Sequence, residues 1–367
     1  MSLLLLGDSI SDDDCIYFEK SVQGILKDYD NVICNLEGPI INYKNKSVPT
    51  PKVGPNIGQE KKFIDLLISS GIENFCLANN HIFDFGVQPV EETLSYFVKR
   101  KCQVTGICID GKTEPIIIQD GNKEFCILNL CETHNSNFSS CNNKTIAYAS
   151  LFDESIFALI EGLKTENRVI IASIHAGIEA VDVPLPFFRN VYKRFIDNGV
   201  DFVICHHPHI IQGLEIYKTG KIYYSIGDFI FRHKGIKRHN SIGCGIGLKY
   251  INGDLKVYHH YFQQNNNGEI KLSKKNLILE SSKQLNNENY CKIQFENAYK
   301  KQILPIKFFS EGKLSLNQSL RNNLSLIFRS IFMPKWTRLR KLQYKLHLKE
   351  NESYRELEMY IRNNDTK

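Results

Sequence analysis

From Leu3 to about Phe262, short apolar runs alternate with stretches of helical period. Leu3–Leu6, Val32–Asn35, Asn74–Leu77, Phe125–Leu130, Val169–Ser173 and Phe202–Cys205 read as buried strands, four to six residues long and mostly apolar. Between them, Tyr17–Lys27, Glu60–Ser69, Pro89–Arg100, Phe152–Lys164 and Pro186–Asp197 read as helices, and Gly71 and Gly199 stop two of them. Strands interleaved with helices predict an α/β or α+β domain. The polar residues of interest fall just after strand ends, where open α/β architectures bind ligands. Beyond Phe262 the sequence turns Asn-, Lys- and Ser-rich over Gln263–Asn289, which reads as loops with one strand, and a helical portion follows. The expected division is residues 1–265 as the main domain and 266–367 as a mostly helical C-terminal extension.

Composition narrows the class. With 42% hydrophobic and 23% charged residues, the 367-residue chain matches a globular protein and neither a disordered nor a membrane-spanning one. No apolar run nears the roughly 18 to 20 residues a bilayer-spanning helix needs. Leu3–Leu6 lacks the flanks of a signal peptide. The eleven cysteines include no C-x-x-C pair, and Cys34, Cys76, Cys126 and Cys205 sit within strand-like runs, so thiol packing in a reducing compartment is expected over a disulfide framework. The expected location is the cytoplasm.

Charge is uneven. Residues 321–349 hold Arg321, Arg329, Lys335, Arg338, Arg340, Lys341, Lys345 and Lys349 and no acidic residue, so this segment carries +8 in a chain of net charge +6, leaving −2 for the rest. Leu324, Ile327, Phe328, Ile331, Phe332 and Trp336 interleave with those cations, which suits an amphipathic helix lying on an anionic membrane face, here the inner one. A helical appendage with a solvated basic face is the competing reading. Nucleic acid is not an expected partner, since no stacking pattern or recognised fold supports it.

Six segments place metal-compatible or proton-transferring groups at strand ends: Gly7-Asp8, Asn35-Leu36-Glu37, Asn79-Asn80-His81, His175-Ala176-Gly177, His206-His207-Pro208-His209 and Gly227-Asp228. The H-x-H pair His207 and His209 is the strongest, because two imidazoles held close by a stiff Pro208 suit a metal. Asp8, Glu37 and Asn80 add the oxygens that Mn²⁺, Fe²⁺ or Zn²⁺ accept beside imidazole. A bridging carboxylate, for which Glu37 is the candidate, would hold two ions about 3.5 to 4 Å apart. Asn79 is the alternative to Asn80. His206, His233, His239, His259 and His260 read as ordinary core or surface histidines. Asp12, Asp13 and Asp14 read as an acidic cap before the first helix.

In order, Gly7-Asp8, Asn35-Leu36-Glu37-Gly38-Pro39, Leu77-Ala78-Asn79-Asn80-His81 with Asp84 and Gly86, His175-Ala176-Gly177-Ile178-Glu179, Asp201 to Gln212 and Tyr224 to Phe229 resemble the motifs of the CapA family, associated with poly-γ-glutamate capsule synthesis within the calcineurin-like metallophosphoesterase superfamily. The likeness spans about residues 3–232. It implies a metallophosphatase-like four-layer fold, a central β-sandwich flanked by helices, with two divalent metals (Mn, Fe or Zn). It further implies Asp8 and His209 as ligands of one metal, Asn80, His175 and His207 as ligands of the other, Glu37 as the bridge, hydroxide attack, and His81 as the proton donor. Asp84 would orient His81. The chain departs from the wider pattern at Ile10, where an Asp-x-His motif would place a histidine, at Ala176 in place of tryptophan, and at Asp228 in place of asparagine. The expected activity is hydrolysis of a phosphoester, or of an amide or anhydride bond, in an anionic small molecule or polymer of capsule or polysaccharide production. The competing reading is a metal-binding accessory protein for polymer assembly or export. Lys52, in the proline-rich loop from Tyr43 to Pro55, and Arg189 are candidates for holding the anionic substrate.

Overall fold

Leu3, Leu4, Leu5 and Leu6 are all buried, two on each face, so the strand that carries them is covered on both sides. That strand, β1 (Ser2–Ser11), is central to a nine-stranded sheet in the computed structural model of the chain. The sheet runs β2 (Tyr17–Phe18), β18 (Glu269–Ser273), β17 (Asp254–Gln264), β16 (Ile242–Ile251), β1, β3 (Asn31–Leu36), β4 (Asn74–Cys76) and β5 (Gln103–Thr105), with β15 (Asp228–Arg232) pairing alongside β1. A six-stranded sheet runs β13 (Leu214–Tyr217), β14 (Gly220–Tyr223), β12 (Phe202–His206), β11 (Arg168–His175), β9 (Lys123–Cys131) and β8 (Ile116–Asp120). A small third sheet joins β10 (Ile146–Tyr148), β6 (Ile107–Ile109) and β7 (Lys112–Thr113). The structure describes residues 1–12, 15–41, 48–50, 52, 54–132, 146–233, 241–303 and 351–365. The basic segment 321–349 lies outside the described residues.

Alternation sorts the side chains into layers. Leu3, Leu5 and Ile33 of the large sheet meet Phe125, Ile127, Ile171, Phe202 and Ile204 of the six-stranded sheet, which makes the pair a sandwich. On its outer face, Leu4, Leu6, Val32 and Cys34 pack against α1 (Lys20–Lys27), α2 (Lys61–Ser69) and α3 (Val87–Lys99). The outer face of the other sheet, with Leu128, Ile170, Ala172 and Val203, packs against α4 (Ser155–Leu163), α5 (Pro186–Asp197), α7 (Glu288–Ala298) and α8 (Glu352–Asp365). The four-layer helix, sheet, sheet, helix arrangement is the expected one. Ile278 of α6 (Leu277–Ser282) enters the sandwich itself.

The first helix begins at Lys20, not Tyr17, because Tyr17 and Phe18 pair with Glu269 and Ile270 as an edge strand. Glu19 holds the N-cap position and no side chain caps the helix, so Asp12 does not play that part, while Asp13 and Asp14 lie outside the described residues. Past residue 265, β18 still pairs with β17, so the large sheet extends into the Asn-rich stretch. His259 and His260, both half-buried, hydrogen-bond Tyr223 and Tyr29 at 2.9 and 2.7 Å, as ordinary structural histidines do. Nine of the described cysteines are free, and Cys108 is disulfide-bonded, a departure from the all-thiol expectation. No helix among the described residues is long and apolar enough to cross a membrane.

Asn129 ties the two sheets together near their strand ends. Its Oδ1 accepts from the Ala78 N–H at 2.6 Å, and its Nδ2 donates to the Ser173 carbonyl at 3.1 Å. Asn129→Leu strands the Ala78 N–H in the interior and is expected to cost about 1–3 kcal/mol, read as a lower urea midpoint at unchanged slope.

Candidate metal centre

Strict alternation along β1 would place Asp8 with Leu4 and Leu6 on the helix-covered face. Pairing skips Gly7, however: Leu6 lies opposite Cys34 and Asp8 opposite Asn35. This bulge turns Asp8 into the gap between the sheets. Only glycine fits at position 7, since a Cβ there would lie 2.0 Å from the Gly227 carbonyl oxygen. Asp8 is also in register with Asp228 at the start of β15.

Glu37 follows β3 and is held through its backbone. Its N–H donates to the Ser9 carbonyl at 3.3 Å, its carbonyl accepts from the Gln59 side-chain amide, and Gln59 Oε1 accepts from the Ser11 N–H at 3.0 Å. Asn79 is occupied by backbone groups: Oδ1 accepts from the Gly38 and His81 N–H groups, and Nδ2 donates to the Leu36 and Leu77 carbonyls. Asn80 instead reaches the gap, with Oδ1 3.0 Å from His175 Nε2.

The turn after β12 bends sharply. His207 has φ +95° and His209 φ +58°, left-handed values that non-glycine residues seldom adopt and that cluster at functional sites. The His207 N–H donates to Asp8 Oδ2 at 3.1 Å. His209 Nδ1 lies 2.8 Å from Asp228 Oδ1, 3.3 Å from Asp8 Oδ2 and 3.8 Å from Glu37 Oε1. Three sets of donor atoms each fall within 4.8 Å of one another: Asp8, Glu37 and His175; Asp8, His209 and Asp228; Glu179, His207 and His209.

Glu37 is fully buried, and neither carboxylate oxygen has a hydrogen bond. Burial raises its pKa well above the usual carboxylate range; His209 offsets this only in part, and Asp8, Asp228 and Glu179 push it further up. A buried carboxylate with no donor needs either a proton or a cation. Carboxylate, amide and imidazole donors surround it, so this donor set fits a divalent metal. Burial also raises Asp8, but the imidazoles of His206, 3.3 Å away, His209 and His175 outweigh it, leaving this carboxyl well below its usual range.

Beside this cluster, His81 Nδ1 lies 2.7 Å from Asp84 Oδ2 and 2.9 Å from Lys52 Nζ, and Nε2 lies 3.9 Å from Glu37 Oε2. Lys52 Nζ also donates to Asp84 Oδ1 at 2.5 Å. Burial, then the Lys52 charge, pushes the His81 pKa down to about 4, with Asp84 acting in the opposite direction.

The residues expected at the site, Asp8, Glu37, Asn80, His175, His207, His209, His81, Asp84 and Lys52, are thus gathered in one place. Lys52 turns toward His81 and Asp84. Arg189 is not brought to the site: its guanidinium binds Glu215 at 2.7 Å, the Leu285 carbonyl at 2.8 Å and Asn286 at 3.2 Å. Three further groups join that the sequence reading did not assign to the site. Asp228 adds a carboxylate where the motif leads one to expect an amide. His206 approaches Asp8 Oδ1 at 3.3 Å. Glu132, one residue past β9, is buried and pushed up to about 7 by burial, against the opposing charge of His207 and hydrogen bonds from Ser353 and Gly177. Applying the strand-end rule to β9 as to its neighbours would have found Glu132.

The bacterial capsule synthesis protein family, PGA_cap, matches residues 5–233. The PGA biosynthesis protein CapA of Bacillus subtilis is 25% identical over 213 residues, 57% of this chain and 55% of that protein. The capsule biosynthesis protein CapA of Bacillus anthracis is 24% identical over 220 residues, 59% of this chain and 54% of that one. A probable polyglutamine synthesis accessory protein of Mycobacterium tuberculosis is 24% identical over 193 residues, covering 48% and 49%. The chain spans about half the length of these relatives. Among solved structures, a putative 5'-nucleotidase from Staphylococcus aureus aligns with TM-score 0.45 at 12% identity, covering 78% of this chain and 58% of that one.

The raised Glu37 carboxyl sets a pH dependence. In metal-free protein its contribution to stability is present below the unfolded value of 4.5 and is lost as pH rises through the higher folded value. Thermal unfolding in chelator is expected to weaken from about pH 5 to about pH 8, and Glu37→Gln to flatten that decline. Added Mn²⁺ should raise the wild-type midpoint at about pH 8 and leave the variant's unmoved.

Proposed function

The chain belongs to the bacterial capsule synthesis protein family, and on that premise we propose that it is a metal-dependent hydrolase of capsule or cell-envelope polymer production. Its substrate class is a phosphoester, or an amide or anhydride bond, in an anionic molecule or polymer of the poly-γ-glutamate or polysaccharide kind. The observation that carries this reading is the Glu37 carboxylate, fully buried with both oxygens lacking a hydrogen bond, among imidazoles and carboxylates and next to His81.

Asp8 and His209, joined by Asp228, would hold one divalent ion; Asn80, His175 and His207 would hold a second; Glu37 would face both. Divalent ions bound there supply Lewis acidity, drawing charge from the oxygens of the scissile bond and making water more acidic. His81 works at the edge of this set. Its Nδ1 has two partners that ask for opposite tautomers: Asp84 accepts from Nδ1–H, and Lys52 donates to bare Nδ1. When Nε2–H passes its proton to the leaving atom, Nδ1 takes a proton from Lys52 and donates to Asp84. The ring thus never holds two protons, which suits an imidazole whose pKa is pushed down to about 4.

A metal-binding accessory protein of low turnover is the second reading, favoured by the buried Ile10 where the wider motif has one more imidazole. Elemental analysis beside hydrolysis of aryl phosphodiesters and monoesters with Mn²⁺ separates the two. His81→Ala should retain the metal content of the wild type and lose turnover by about 100- to 10,000-fold. Metal in the wild type with no turnover on any ester or amide tested selects the accessory role. Metal content unchanged by both His207→Ala and Glu37→Ala refutes the site.

A further inference from the structure

We propose that helix α8 is a working part of the metal centre: its first turn, through Ser353, fixes Glu132, and Glu132 fixes the turn that carries His175 beside His207. This rests on the metal-centre reading and assigns a task to the C-terminal extension.

The contact is a built one. Glu132 and Ser353 are both wholly buried, and the Ser353 hydroxyl lies 2.7 and 2.6 Å from the two Glu132 carboxylate oxygens. Glu132 in turn binds both ends of the tripeptide 175–177: its N–H donates to the His175 carbonyl at 3.1 Å, and its Oε1 accepts from the Gly177 N–H at 3.4 Å. Asn351 starts the helix, accepting from the Tyr354 N–H at 2.9 Å, so the positive end of α8 faces the carboxylate.

Packing does not require that serine. Leu357 and Ile361 already bury the helix against Phe295, Ala298 and Ile303, and the Tyr360 ring sits 4.9 Å from that of Phe295. A hydroxyl placed at zero exposure costs desolvation, which its carboxylate partner offsets. A second tie runs in parallel: the Tyr354 hydroxyl donates to Gln302 Oε1 at 3.3 Å, and Gln302 Nε2 donates to the Glu179 carbonyl at 2.7 Å. The loop from His175 to Glu179 is thereby held at two points by residues that follow 300. Groups that orient metal-ligating residues without touching the metal set its affinity by about 10- to 100-fold; Glu132 acts in this way through the backbone of residues 175–177, so Ser353 and Glu132 are positioning residues.

The test is Mn²⁺ affinity of the full chain, measured by competition with a fluorescent chelator. Ser353→Ala and Glu132→Gln are each expected to weaken binding about 10- to 100-fold, and the double variant no more than Glu132→Gln alone, because Ser353 acts through Glu132. Met359→Ala, at an exposed position of the same helix, should bind as the wild type does. Affinity within about twofold of wild type for Ser353→Ala, an equal loss for Met359→Ala, or fully additive losses in the double variant overturns the role of the helix and leaves the centre standing. A wild-type chain that takes up no Mn²⁺ overturns both.

Discussion

The Asp8 carboxylate joins two sheets that share no strand. Its Oδ2 accepts from the His207 N–H, and its Oδ1 accepts from Asn35, so one buried side chain fixes the distance between the end of β12 and the ends of β1 and β3. The other arrangements of the centre follow from that distance. His207 takes its left-handed φ within reach of Asp8, His209 is swung onto Asp228, and Glu37 is left facing the space between them. Two glycines make the approach possible: a Cβ at Gly7 would strike the Gly227 carbonyl, and one at Gly243 would strike that of Asp228, each at 2.0 Å. Side-chain volume is removed where charge is to be gathered.

Charge gathered in this way is unstable without compensation. Asp8 has His206, His209 and His175 around it and remains ionised, whereas Glu37 has only distant imidazoles and no donor. The two carboxyls therefore shift in opposite directions within one cluster. That split suits a site in which one acid is held by the protein and the other waits for a cation. The Lys52, Asp84 and His81 trio beside it is internally balanced, and its geometry does not depend on how the Glu37 demand is met.

Much of this was legible in the residues. Period alone locates β1, β3, β9, β11 and β12 and gives α5 its full extent, because these elements are buried and their patterns are not diluted. The ordered motifs name most of the residues that the fold brings together in the cluster, because each lies within a few residues of its strand. What escaped was set by contacts distant in sequence. The bulge at Gly7 cannot be seen without Gly227, and β2 is a strand only because Glu269 and Ile270 pair with it. Arg189 sits at a helix start, as an anion-binding arginine would, yet Glu215 and the Leu285 carbonyl claim it. Glu132 carries no motif, and its partner stands 221 residues away.

That separation has a consequence for how the chain is made. Asp8, Glu37, Asn80, His175, His207 and His209 all precede Ser353 by more than a hundred residues, so they are translated before the hydroxyl that binds both Glu132 oxygens. The donors are assembled early and the brace behind them arrives late. If α8 braces the centre as proposed, a nascent chain would carry all its candidate ligands before the brace behind them exists, and folding of the sandwich and completion of the centre would be separate events in translation.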